Sequence, residues 1–142
     1  DALGNIYAAG LFTNSSNKHY VAKFNGTAWS EIGGLNGLAA NNDINTLCVD
    51  ILGNIYAAGR FINKSNNLYV AKFDGNKWSE ISSNGLNAHV GWGGIRTICV
   101  DKSGNIYAAG DLKNGPSLND FYFVAKFDGN LWSELGGWEN HA

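Results

Sequence analysis

The heptapeptide GNIYAAG occurs three times in the sequence, at residues 4–10, 53–59 and 104–110. Asp1, Asp50 and Asp101 each stand three residues before a copy, which gives repeat spacings of 49 and 51 residues. A long period of this kind is typical of propellers, solenoids and other repeat architectures, because one repeat cannot bury its apolar face alone. We therefore expect three similar structural units that pack against one another.

Four short segments recur in each repeat, and all have the length of β-strands. In the second repeat they are INTLCVD (44–50), NIYAAGRF (54–61), YVAKFDG (69–75) and KWSEI (77–81). No stretch of ten or more residues shows the apolar spacing of a helix. Asp-x-x-Gly-Asn joins the first two segments and Asn-Gly or Asp-Gly joins the last two, and both sequences favour tight turns. Each repeat thus predicts a four-stranded antiparallel meander, with strands A to D.

A four-stranded meander repeated about every 40–50 residues is typical of a β-propeller blade. We predict an all-β chain that forms a single partial propeller over residues 1–142, an open arc of three blades. The predicted blades cover residues 1–33, 44–82 and 95–137. The first blade lacks its innermost strand A, because Asp1 already belongs to the A–B turn.

Equivalent positions in the repeats predict how neighbouring blades pack. Trp29, Trp78 and Trp132 occupy one position of strand D, and we expect all three to be largely buried in the gap between blades. Cys48 and Cys99 lie one repeat apart. Stacked sheets are about 10 Å apart, whereas the Cα atoms of a disulfide lie within about 7 Å. We therefore expect two unpaired, buried thiols.

The pattern D-x-x-G-N-I-Y-A-A-G, followed by V-A-K-F-D/N-G-x-x-W-S-E-I/L, resembles the repeats of large bacterial β-propeller proteins with broadly kelch-like blades. This resemblance covers nearly the whole chain and implies the fold and an extracellular or cell-surface location, but no function. The segments GWGGIRTICVDKSGNIYA (91–108) and LGGW (135–138) are more weakly similar to tachylectin-type propeller lectins. That similarity implies a sugar site on a tryptophan-bearing loop, matched by Trp92 and Trp138, whereas the first repeat reads AANNDI (39–44) instead.

An open arc of three blades leaves an apolar sheet face uncovered at each end. Propellers close with at least about four blades, and soluble monomers rarely expose large apolar patches. Two explanations remain open. Copies of the chain associate, with a dimer closing a six-bladed ring, or further blades of a longer chain complete the ring.

The predicted connectivity places the B–C loops and the D–A links at one end of every blade. These connections are longer and more varied than the turns at the other end, and loops on a rigid scaffold commonly carry binding residues. We predict this B–C/D–A face as the ligand-binding surface. Its candidate ligand-binding residues are Trp92, His89, Asn41, Asn42, Asp43, Arg60 and Asp111.

Each candidate also has a structural interpretation. Trp92 with His89 forms either a platform for a sugar ring or a loop anchor. The segment 41–43 binds a sugar hydroxyl or Ca²⁺, or serves in turns and caps. Arg60 and Asp111, at equivalent positions of adjacent blades, form an ion pair between blades or a binding pair.

Signatures of catalysis and of other partners are missing from the sequence. A net charge of −2 gives no basic surface for nucleic acid, and no apolar run approaches the roughly 18 residues of a membrane span. The three histidines lack partners at metal-binding spacing, and nucleophile and phosphate-binding motifs are missing. We expect a non-catalytic binding module for carbohydrate or protein, without cofactor, metal, nucleic acid or membrane insertion. The alternatives are a structural segment of a large secreted or surface repeat protein, and a fragment of a propeller enzyme.

Overall fold

A computed structural model describes residues 1–83, 86, 93–112 and 124–135 of the 142-residue chain. These residues form β-strands and one short 3-10 helix, Gly34–Asn36. The strands are β1 (Ile6–Ala8), β2 (Ala22–Phe24), β3 (Trp29–Glu31), β4 (Ile44–Val49), β5 (Ile55–Gly59), β6 (Ala71–Phe73), β7 (Trp78–Glu80), β8 (Ile95–Val100), β9 (Ile106–Gly110), β10 (Val124–Phe127) and β11 (Trp132–Leu135). No helix in these ranges is long and apolar enough to cross a membrane.

The strands form three antiparallel sheets, each of strands that follow one another in the chain. Sheet I contains β1 to β3, sheet II contains β4 to β7, and sheet III contains β8 to β11. None of the three is closed on itself. The predicted all-β class, the antiparallel meanders and the missing first strand of the first repeat are confirmed.

The pairing register is the same in the three sheets. An isoleucine of strand B pairs with a phenylalanine of strand C, which pairs in turn with the tryptophan of strand D. The triplets are Ile6, Phe24 and Trp29 in sheet I, Ile55, Phe73 and Trp78 in sheet II, and Ile106, Phe127 and Trp132 in sheet III. In every sheet the two aromatic rings of this triplet lie 5.2–5.3 Å apart. Because side chains alternate along a strand, this register puts all three residues on one face of the sheet.

The A–B turn explains why Asp-x-x-Gly-Asn-Ile-Tyr recurs. Asp50 Oδ1 accepts hydrogen bonds from the backbone N–H groups of Leu52 and Asn54, both at 2.9 Å. Asp50 Oδ2 accepts one from Asn54 Nδ2 at 2.7 Å and one from Tyr56 Oη at 3.0 Å. Gly53 takes the left-handed conformation, with φ 84°, that the turn requires. The same hydrogen bonds form in the turns that begin at Asp1 and Asp101.

We call the face that carries the Ile-Phe-Trp triplet the front face of a sheet, and the opposite face its back face. The front face of sheet II packs on the back face of sheet I, around Val21, Ile32 and Ile55. The front face of sheet III packs in the same way on the back face of sheet II. The first strands of sheets II and III lie beside each other, since Thr46 Oγ1 accepts a hydrogen bond from the backbone N–H of Ile98 at 3.3 Å.

The strand D tryptophans show the direction of this packing. Trp132 Nε1 donates a hydrogen bond to the carbonyl oxygen of Ser82 at 2.8 Å, and Trp78 Nε1 donates one to that of Ile32 at 3.4 Å. Trp132 is 2% exposed and Trp78 is half-buried, but Trp29 is 53% exposed. The expectation of burial is therefore wrong for Trp29, because no described residue of another sheet covers the front face of sheet I.

The two cysteines are unpaired, as predicted. Cys48 is half-buried, because the back face of sheet II meets sheet III, and it packs against the cluster between these sheets. Cys99 is exposed, so the expectation that both thiols are buried is wrong. Cys99 occupies the position of Cys48 one repeat later, on the back face of sheet III.

Candidate ligand-binding site

The B–C loops of the first two repeats share one conformation, organised by an asparagine. In the second repeat, Asn63 Oδ1 accepts hydrogen bonds from the backbone N–H groups of Ser65 and Asn67, both at 3.0 Å. Asn66 has φ 64°, a conformation that asparagine tolerates better than most residues. Asn14 holds residues 14–18 in the same way. The two loops therefore share a conformation although their sequences differ.

The same asparagines tie the B–C loop to strand D. Asn63 Nδ2 donates a hydrogen bond to Glu80 Oε1 at 2.7 Å. Asn14 Nδ2 makes the equivalent contact with Glu31 Oε2 at 3.1 Å. Because Oδ1 already holds the loop, the position of each Nδ2 group is fixed. The glutamate carboxylate is thus held at the B–C/D–A end of its sheet.

Two adjoining depressions lie beside Glu80, and we call them together the sheet II groove. The first has a volume of about 320 Å³ and the second about 400 Å³. The first is lined by Asn36, Gly37, Leu38, Tyr69, Ala71, Trp78, Ser79 and Glu80. The second is lined by Ile62, Asn63, Lys64, Ser65, Tyr69 and Glu80. Link residues that follow sheet I and the B–C loop of sheet II both border the groove, so it lies on the predicted B–C/D–A face.

Tyr69 and Glu80 border both depressions. The Tyr69 ring packs edge-on against Phe61, with ring centroids 4.9 Å apart, which fixes its orientation. Burial raises the pKa of Tyr69, and the negative charge of Glu80 raises it further. The phenol therefore stays protonated at neutral pH and can donate a hydrogen bond. The exposed carboxylate of Glu80 can accept one beside it.

The equivalent positions of the other sheets differ from the sheet II groove. Trp29 and Glu31 lie on sheet I, whose front face faces no preceding D–A link within the described residues. Trp132 of sheet III is only 2% exposed, so its ring is closed to a ligand. Trp78 combines partial exposure with a neighbouring link at residues 36–38.

Two of the predicted site residues stabilise the link between sheets I and II. Asn41 Nδ2 donates a hydrogen bond to the carbonyl oxygen of Ile62 and its Oδ1 accepts one from the Ile62 N–H, both at 3.0 Å. Asn42 Oδ1 accepts a hydrogen bond from the backbone N–H of Asp43 at 2.8 Å. These contacts fit the turn and capping interpretation of both residues.

Asp43 lies between the guanidinium group of Arg60 and the imidazole ring of His19. Its Oδ2 atom is 3.5 Å from Arg60 Nη1, and its Oδ1 atom is 3.7 Å from His19 Nε2. Such neighbours compete with a bound cation, so this carboxylate is poorly suited to Ca²⁺. The described residues contain no group of three side chains that could hold a metal ion.

Arg60 and Asp111 do not pair with each other, so the expected ion pair between blades is wrong. Each pairs instead with a residue at the beginning of its own sheet. Arg60 contacts Asp43, which precedes β4, and the buried Asp111 lies 3.3 Å from Arg96 in β8. The remaining predicted site residues, His89 and Trp92, lie outside the described residues, as does Trp138.

The predicted ligand-binding residues do not include those that line the sheet II groove. Asn63, Tyr69, Trp78 and Glu80 belong to the strand and loop segments that recur in the repeats. One usable signal was the pattern Asn-x-Ser-Asn, which occurs at 14–17 and again at 63–66. Its recurrence at one place of the repeat indicates a shared loop conformation, and the Trp-Ser-Glu sequence of strand D begins 12 residues after the last residue of each pattern.

Comparisons of the chain with known protein families, with curated proteins and with solved structures give no match. Its function must therefore be inferred from the geometry of its own residues.

Proposed function

We propose that this protein is a non-catalytic carbohydrate-binding module built on a β-propeller scaffold. The observation that carries this proposal is the sheet II groove, in which two aromatic side chains stand beside a fixed carboxylate at one end of the sheets. The three sheets act as consecutive propeller blades in this proposal, and the groove lies between the first two.

Three features support the propeller scaffold. The sheets are similar antiparallel meanders that follow one another in the chain. Each packs its front face on the back face of the sheet before it. The first strands of sheets II and III lie side by side, as inner strands around a propeller axis do. An arrangement of this kind places all B–C loops and D–A links on one face.

The chemistry of the groove favours a sugar. A pyranose ring presents flat patches of C–H groups, which suit the faces of the Trp78 and Tyr69 rings, and a rim of hydroxyl groups. Glu80 and Tyr69 supply an acceptor and a donor for these hydroxyls. The volume of about 320 Å³ of the first depression falls at the lower end of the range of roughly 300–1,000 Å³ for ligand sites. The negative charge of Glu80 favours neutral or amino sugars over acidic ones.

A glycan array followed by calorimetry tests this proposal. The wild-type chain should bind neutral or amino sugars, and Glu80→Gln should weaken binding at least about tenfold, because a charge-assisted hydrogen bond is lost. Glu31→Gln is the matched control, since Glu31 has the same asparagine partner but no groove, and its variant should bind like wild type. A blank array with folded protein, or equal losses in both variants, would refute the proposal.

A structural role within a larger repeat protein is the second candidate. It is favoured by the contacts of Asn41, Asp43, Arg60 and Asp111, all of which are engaged within the chain. A blank array together with a lowered free energy of unfolding in Glu80→Gln would support this second function, because the hydrogen bond from Asn63 to Glu80 would then serve the fold.

A further inference from the structure

The front face of sheet I is apolar and uncovered, although its residues match those that are buried in the other sheets. Ile6 is 56% exposed, whereas the equivalent Ile55 and Ile106 are each 2% exposed. Phe12 is 39% exposed, whereas the equivalent Phe61 is 0% exposed. Together with the half-exposed Trp29, these side chains form a surface with the chemistry of an internal sheet–sheet contact.

Among the described residues, the back face of sheet III is uncovered in the complementary way. Val124 is 38% exposed, whereas the equivalent Val70 of sheet II is 0% exposed. Leu135 is 50% exposed, whereas the equivalent Ile32 of sheet I is 8% exposed. Val70 and Ile32 are buried because the front face of the following sheet covers them. No described sheet covers Val124 and Leu135 in this way.

The contact that these two faces would form already exists twice within the chain. At both internal contacts the strand D tryptophan of one front face donates its indole N–H to a carbonyl at the end of the preceding sheet. Trp29 carries the same indole N–H donor. Leu135, at the end of β11, carries the backbone carbonyl that is equivalent to that of Ile32. The front face of sheet I therefore matches the back face of sheet III as the faces of the two internal contacts match each other.

We propose that the front face of sheet I binds the back face of sheet III of a second copy of this chain. The two faces differ, so the contact is head to tail, and a closed assembly requires that every front face meets a back face. Two chains with three sheets each would close a ring of six sheets, which lies within the range of about four to eight for propellers. This inference does not depend on carbohydrate binding.

Sedimentation of the 142-residue chain and of two charge variants tests the proposal. The wild type should sediment at twice the mass of one chain, 15.2 kDa. Ile6→Glu on the front face and Val124→Glu on the back face should each yield monomers with unchanged circular dichroism. Leu52→Glu is the control, because Leu52 is 82% exposed in a turn away from both faces, and this variant should remain a dimer.

Mixing the two variants separates the proposal from its alternatives. A head-to-tail contact leaves one intact pair of faces in the mixture, formed by the front face of Val124→Glu and the back face of Ile6→Glu, so the mixture should dimerise again. A protein whose variants merely fail to fold would not regain assembly in this way. A folded wild-type monomer would overturn the proposal and favour another occupant, such as a further repeat of the same polypeptide. Dissociation by Ile6→Glu but not by Val124→Glu would also overturn it, since that result indicates front-to-front pairing.

Discussion

Tyr56 Oη donates a hydrogen bond of 3.0 Å to Asp50 Oδ2, and this bond ties strand B to the turn that precedes it. Tyr56 is 4% exposed, so the bond is shielded from water. The carboxylate already organises the turn through three further hydrogen bonds, two from backbone N–H groups and one from Asn54 Nδ2. In all three repeats, the tyrosine of the heptapeptide therefore makes a polar contact with the turn in addition to its packing.

We expect Tyr56→Phe to lower the free energy of unfolding by about 1.5–3 kcal/mol, because a hydrogen bond to a charged group is lost and the half-buried Asp50 carboxylate keeps one partner fewer. Urea denaturation measures this change. Tyr20→Phe is the matched control, since the Tyr20 ring packs on Phe12 but its hydroxyl makes no hydrogen bond within the described ranges. Equal effects in the two variants would show that the Tyr56 hydroxyl adds nothing.

Stability should fall in acid because the turn carboxylates are stabilised in their charged form. Burial acts to raise the pKa of Asp50, but hydrogen bonds from Asn54, Tyr56 and Leu52 outweigh it and lower the pKa below 3.8. For Asp101 the side-chain hydrogen bond from Asn105 is the largest cause of a lowered pKa. A depressed folded-state pKa gives stability that is complete above the unfolded-state pKa of about 3.9 and is lost as the pH falls through the folded-state value.

Thermal unfolding between pH 7 and pH 2 measures this effect. We expect a constant melting temperature down to about pH 5 and a steep decrease below about pH 4. Asp50→Asn should melt earlier at pH 7 and show a smaller decrease in acid, because one of the titrating groups is gone. An unchanged acid decrease in Asp50→Asn would assign the effect to other carboxylates.

The strand D tryptophans should differ in their contribution to stability although their sequence positions are equivalent. Trp132→Ala should cost about 3–5 kcal/mol, because it opens a cavity at a residue that is 2% exposed and removes the hydrogen bond to Ser82. Trp29→Ala should cost about 1 kcal/mol or less, since Trp29 is half exposed. Both substitutions belong in the Val124→Glu background, where association does not contribute, and chemical denaturation gives the two values. Similar losses of stability in the two variants would contradict the finding that a neighbouring sheet covers Trp132 but not Trp29.

The two thiols should react at different rates. Burial is the main cause that raises the pKa of Cys48 to about 12, and the nearby Cys99 and Asp50 contribute to the same shift. The thiolate is the reactive form, so at pH 8 iodoacetamide should modify the exposed Cys99 well before Cys48. Peptide mass spectrometry of the Val124→Glu variant, with Cys99→Ser as the control, measures both rates. Comparable rates at the two sites would show that Cys48 is not shielded by sheet III.

The sequence allowed much of the fold to be predicted, because each repeat carries its own turn signals. Asp50, Gly53 and the Asp-Gly at 74–75 mark turns where the structure has them, and the absence of a disulfide follows from the spacing of the repeats. Burial was less predictable. Trp29 and Trp132 have the same local sequence, and only the neighbouring sheet makes one exposed and the other buried.

The candidate site could be predicted only in its location. The B–C/D–A face is where the sheet II groove lies, but its lining comes from a link at 36–38 and a loop at 62–65 that are far apart in sequence. The ion pairs of Arg60 and Asp111 could not be predicted either. These two residues share a position in the repeat, but their partners, Asp43 and Arg96, occupy different positions of the repeat.

The meander of neighbouring strands has a consequence for how the chain folds. Every strand pair in the three sheets joins strands that follow each other in the chain, so the strands of sheet I can pair before sheet III has been synthesised. The contacts between sheets join residues 50 and 52 positions apart, as in the hydrogen bonds Trp132–Ser82 and Ile98–Thr46, so they form after the sheets themselves. The carboxylate-centred turns, formed within six residues, are suited to initiate each sheet separately.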